Sequence, residues 1–94
     1  MLSLTLYVAG NNAFSRRACI NLDSIVAEMA VNTSVVIIDV LTSPELTLAK
    51  RIFVTPSLVI QYNGGAEILI VGDLTDRQKI ATSIRSAQST LPGR

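Results

Sequence analysis

The chain has 94 residues, of which 49% are hydrophobic and 16% charged, with a net charge of +1. Such a composition excludes a disordered chain, and the near-zero charge leaves no field to draw nucleic acid or an anionic membrane. Aromatic residues make up 4%, too few for base stacking; the single cysteine cannot form an internal disulfide, and there is no histidine to act as general base or metal ligand.

Leu2, Leu4, Leu6 and Val8 alternate with Ser3, Thr5, Tyr7 and Ala9, which predicts a first strand. The N-terminus lacks a basic region, so it reads as this strand rather than as a signal peptide. No apolar run approaches the ~20 residues of a membrane span, and the expected location is cytoplasmic. Gly10-Asn11-Asn12 ends the strand, and Ser15 is the expected helix cap. Ala18, Leu22, Ile25, Val26 and Met29 then form a helical stripe that Asn32-Thr33 ends.

Val35-Val36-Ile37-Ile38, closing at Asp39-Val40, is a continuous β-branched run and predicts a strand inside a parallel sheet. Strand, helix and strand make a right-handed βαβ unit. Ser43-Pro44-Glu45 starts a short helix, with Ser43 as cap, proline in the first turn and an acid at the positive end of the dipole. Its expected buried side is Leu46, Ala49 and Phe53, and Thr55-Pro56 breaks it.

Residues 57–62 and 67–71 read as two strands joined at Asn63-Gly64-Gly65, a hairpin signal because Asn and Gly accept positive φ. Gly72-Asp73-Leu74 turns the chain again. Thr75 with Gln78 has the spacing of a capping box, and Ile80, Ile84, Ala87 and Leu91 mark a last helix before a frayed end at Pro92-Gly93-Arg94. The order βαβαββα predicts one α/β domain over residues 1–94: a mixed four-stranded sheet with three helices in the thioredoxin-like arrangement.

A thioredoxin carries C-x-x-C between its first strand and first helix, where the helix start lowers one thiol pKa. Here that place holds Gly10-Asn11-Asn12-Ala13-Phe14-Ser15, so dithiol exchange is excluded there. Cys19 is either a reactive single thiol with Arg16 nearby or a small half-buried hydrophobe. Asp39 and Asp73 read as an acid–base pair or, separately, as a strand-end cap and a turn. Arg16-Arg17 and Lys50-Arg51 are solvated helix faces or docking patches for an acidic partner surface. Gly64-Gly65 is a turn and not a phosphate loop.

Taken together, Leu6-Tyr7-Val8-Ala9-Gly10-Asn11, Ser15-x-Arg17-Ala18, Ile38-Asp39-Val40-Leu41-x-x-Pro44-x-Leu46, Thr55-Pro56-x-Leu58 and Gly72-Asp73-Leu74 resemble the KaiB family of bacterial clock proteins. The resemblance covers almost the whole chain in order. Parts of the pattern also resemble the sensor domain of a clock output histidine kinase. The resemblance implies a non-enzymatic regulator without cofactor, catalytic residue or metal, which binds a KaiC-like ATPase ring, with a KaiA-like or histidine-kinase protein as a further partner. Arg17, Lys50 and Arg51 are then the docking candidates, with the second helix as the contact surface.

The family also implies two interconverting folds. One is a ground state, βαββααβ and usually tetrameric; the other is a thioredoxin-like monomer. Thr55, Pro56, Gly72 and Asp73 are the turn and switch candidates. A proline at position 56 would be cis, as in thioredoxin-like folds, or a trans helix breaker. The Asn-Gly turn favours the thioredoxin-like state locally. The chain departs from the family at its C-terminus, which is not acidic, at Thr47-Leu48-Ala49-Lys50 and at Asn63-Gly64-Gly65. These departures point to a paralogue serving a clock or stress signalling. The competing readings are a single-thiol redox protein using Cys19 and a structural homo-oligomer, dimer or tetramer.

Overall fold

Leu2–Val8 forms the first strand, β1, and it sits inside the sheet with a neighbour on each side. A computed structural model describes residues 1–29, 32–52 and 54–89. After β1 come α1 (Ala13–Ala27), β2 (Thr33–Asp39), α2 (Pro44–Ala49), β3 (Ser57–Tyr62), β4 (Ile68–Val71) and α3 (Arg77–Ser89). This is the βαβαββα order with a mixed four-stranded sheet and not the βαββααβ alternative. The sheet order is β2-β1-β3-β4: β1 is parallel to β2 and antiparallel to β3, and β4 is antiparallel to β3.

The alternation in β1 sends Leu2, Leu4, Leu6 and Val8 to one face. There they pack with Ala18, Leu22 and Ile25 of α1, with Leu58, Ile60 and Ile70, and with Ile80, Ile84 and Ala87 of α3. Leu2, Leu4, Leu6, Leu58 and Ile60 are fully buried. Each such side chain contributes roughly 1.5–3 kcal/mol by leaving water. The opposite face carries a smaller cluster of Tyr7, Ile52 and Val59, with Ile38 and Val40 against it.

Several local expectations change; among them, α1 ends at Ala27 and Thr33 already begins β2. The β2 run lies on the sheet edge, and Val35, Val36 and Ile37 are 38–48% exposed. The reason is topological: β3 pairs on the other side of β1, so among the described residues β2 has one neighbour and no further strand beside it. The α1 cap is Asn12, whose side chain accepts from the Ser15 backbone N–H at 2.8 Å; Ser15 lies inside the helix and is buried. Ser43 makes no side-chain capping bond. At α3, Asp76 accepts from the Lys79 N–H at 3.1 Å, while Thr75 turns back to Asp73, so the capping role belongs to Asp76.

The hairpin behaves as its residues require. Asn63 and Gly64 have φ of 51° and 73°, and the Gly65 N–H donates to the Tyr62 carbonyl at 2.9 Å. Phe53, Leu91 and residues 92–94 lie outside the described residues. Among the described residues, no helix is long and apolar enough to cross a membrane.

Candidate protein-docking surface

Helix α2 is short because its ends come quickly: Pro44 opens it, and the chain leaves it through Lys50 into Arg51 at a φ of 56°. Glu45 sits in the first turn, where the dipole favours a negative charge. Six residues are too few to cover a sheet face. None of them is buried, and Leu46 and Leu48 are 50% and 76% exposed. The expected buried side of Leu46 and Ala49 is therefore open to solvent; Ile52, beyond the helix, supplies the packing onto Tyr7 and Val59. Leu41, in the turn between β2 and α2, is 70% exposed. The β2 edge, this turn and α2 each expose apolar side chains, the sort of surface that marks a partner site.

The basic candidates separate into two places. Lys50 Nζ donates to Glu67 Oε2 at 2.8 Å, tying the end of α2 to the β3–β4 hairpin. The hydrogen bond and the charge of Glu67 raise the Lys50 pKa. The buried Tyr7 phenol lies near this pair, and its pKa is raised, chiefly by burial. Arg51 is exposed beside Lys50. Arg17 is elsewhere, on α1, where Nη1 donates to Asp73 Oδ2 at 3.0 Å.

The turn candidates converge. The Thr55–Pro56 peptide bond is cis, and the Pro56 carbonyl accepts from the Gly72 N–H at 2.9 Å. Gly72 leads directly into Asp73, so these four residues and Arg17 form one cluster at the start of β3 and the end of β4. The contact between Arg17 and Asp73 spans 56 positions and has no local signature in the sequence.

The two aspartates serve separate turns. Asp39 Oδ1 accepts from Gly10 N at 3.1 Å and Leu41 N at 2.9 Å, fixing the exits of β1 and β2. Asp73 Oδ1 accepts from Thr75 N at 3.2 Å, an Asx turn. Neither contact set joins the two carboxylates. No group of three or more acidic, histidine or cysteine residues among those described is arranged to hold a metal ion.

Cys19 is half-buried and packs against the main core. It lines a cavity of about 270 Å³ with Val8, Asn11, Ser15 and Ile20. Burial, and then the charge of Asp23, push its thiol pKa up, opposite to what an attacking thiolate requires. A larger hollow of about 360 Å³ lies between α1 and α3, over Ile25, Met29 and Ile84. None of the docking or turn candidates borders it.

Residues 5–86 match the family model described as the KaiB domain. The chain is 38% identical over 84 residues to the circadian clock oscillator protein KaiB of Microcystis aeruginosa, covering 82% of this chain and 74% of that one. It is 35% identical over 78 residues to the circadian clock protein KaiB3 of Synechocystis, covering 82% and 76%. Among solved structures, the N-terminal domain of Synechococcus elongatus SasA superposes with a TM-score of 0.74 at 29% identity, covering 96% of this chain and 88% of that one. Mitochondrial thioredoxin 3 of Saccharomyces cerevisiae superposes with a TM-score of 0.76 at 15% identity, covering 90% and 77%, a likeness of fold alone.

Proposed function

The chain belongs to the KaiB family, and from that premise we propose that it is a non-enzymatic regulatory module, one domain over residues 1–94, that docks on a KaiC-like ATPase ring in the cytoplasm. The observation that carries the reading is α2: a helix with no buried residue, whose Leu46 and Leu48 face solvent. Apolar side chains held on a folded scaffold at the surface give up hydration only when a partner covers them, and that desolvation is the source of affinity. Lys50 and Arg51 flank the patch and would steer an acidic partner surface and fix its register more than add affinity. A KaiA-like or histidine-kinase protein is the second class of partner in this reading.

The experiment is co-elution. The chain mixed with a KaiC-like ATPase in ATP should move to the position of the ring on gel filtration. No complex at high micromolar concentration overturns the proposal. The exposed β2 edge also favours self-association, since an unpaired strand edge is a template for another. Light scattering of the isolated chain reads a dimer or tetramer directly.

A further inference from the structure

Arg17 stands among the docking candidates by its charge, yet its guanidinium already has a carboxylate. One turn further along the same face of α1, Asn21 Nδ2 donates to the backbone carbonyl of Asp73 at 2.8 Å. Two side chains four residues apart therefore grip one residue from opposite chemical ends, Arg17 its carboxylate and Asn21 its main chain. The Arg17 guanidinium lies 5.9 Å from the centroid of the Phe14 ring, which limits the directions it can take.

What is gripped is an unusual piece of backbone. Gly72 and Leu74, on either side of Asp73, have φ of 126° and 65°. The second is a left-handed conformation in a residue with a branched side chain, and such conformations persist only where the surroundings fix them. Leu74 is buried and belongs to the main core, so its side chain holds one flank of the turn. The Pro56 carbonyl holds the other through Gly72 N. Asp73 between them is secured by its own Thr75, through N–H and hydroxyl, and by α1.

We propose that Arg17 and Asn21 form a clasp on Asp73 that fixes the Gly72–Thr75 turn against α1 and so sets where α3 begins, with the Arg17 half of the clasp released by salt. Arg17 is then a positioning residue for the turn, a role that needs no partner and stands or falls apart from the docking proposal. The guanidinium side chain is 54% exposed and that of Asp73 22%, so dissolved ions reach the pair. The Asn21 bond is between neutral groups and does not share this sensitivity. The Asp73 carboxyl is held below its usual range by Thr75 and then Arg17, in keeping with the clasp.

Amide hydrogen exchange followed by NMR on the free 94-residue chain tests this. The reporters are Thr75 N–H, bonded to Asp73 Oδ1, and Gly72 N–H, bonded to Pro56 O. In low salt, Arg17→Gln and Asn21→Ala should each speed exchange at both reporters by about two- to five-fold, while β1 amides stay as in the wild type. Raising NaCl to about 1 M should speed the reporters in the wild type and in Asn21→Ala but not in Arg17→Gln. Arg17→Lys should restore part of the protection. Asp73→Asn in the Arg17→Gln background should add no more than the Thr75 contribution, less than the sum of the two single changes. Unchanged exchange in Arg17→Gln, an equal salt response with and without Arg17, or strict additivity with Asp73→Asn would each overturn the proposal.

Discussion

The two faces of the sheet are built to different standards. On one, α1 and α3 cover alternate residues of β1, and Leu2, Leu4, Leu6, Leu58 and Ile60 are sealed from water. On the other, a six-residue helix shields little beyond Tyr7, Ile52 and Val59, and β2 runs along the edge with Val36, paired with Thr5 on that face, 48% exposed. Residues of similar hydrophobicity thus do opposite things. The covered set holds the fold, and the uncovered set is free to act on something else. A surface that is finished by a partner must be apolar and yet dispensable to folding, and substitutions can separate those properties.

The largest expected effect is on the covered face. Leu6→Ala removes most of a fully buried side chain between both helices and should cost about 2–5 kcal/mol in urea unfolding, from lost transfer energy and the cavity left behind. Next is the hairpin. Gly64 has a φ of 73° with open space where a Cβ would go, so Gly64→Ala meets no neighbour and should cost about 1–2 kcal/mol from the left-handed backbone alone. Gly10→Ala carries the same backbone penalty and brings its Cβ to 3.3 Å from Leu41 Cδ1, so its cost should exceed that of Gly64→Ala by whatever the exposed Leu41 cannot relax.

Asp73 gives a smaller effect with a definite sign. Its folded pKa lies below the unfolded one, through Thr75 and then Arg17. The folded state therefore binds fewer protons in that range, and the contribution is fully present above the unfolded carboxylate pKa and lost as pH falls through the folded value. Asp73→Asn should remove that part of the acid dependence, seen as a shallower fall of melting temperature with acid than in the wild type. The smallest effect is expected on the open face: Leu48→Ser, at a residue 76% exposed, should change unfolding free energy by less than about 0.5 kcal/mol.

The same contrast explains what could be read from the sequence. Period-two alternation in β1 and the helical stripes of α1 and α3 report burial on one face, and that face is where pattern and structure agree. The turn at Asn63-Gly64 is legible because it depends on two adjacent residues. The exposed β2 edge is not legible: Val35-Val36-Ile37-Ile38 has the composition of an interior strand, and only the sheet order reveals that β2 is the end strand among the described residues. The open side of α2 is hidden for a related reason, since Leu46 and Ala49 have core spacing but the element is too short to be pressed onto the sheet. Asn12 does not stand out as the cap because Ser15 is an equally acceptable cap residue three positions later. The grip of Arg17 and Asn21 on Asp73 depends on contacts across more than fifty residues, which no local pattern encodes.

A hydrogen-exchange footprint of the chain on a KaiC-like ATPase ring tests most directly whether the open face is the working one. Protection should appear over α2 and the β2 edge, around Val36, Leu46 and Leu48, and Leu48→Asp should abolish the complex while leaving the free chain folded. Protection confined to the α1–α3 hollow around Met29 and Ile84, with α2 exchanging as in the free chain, would contradict it.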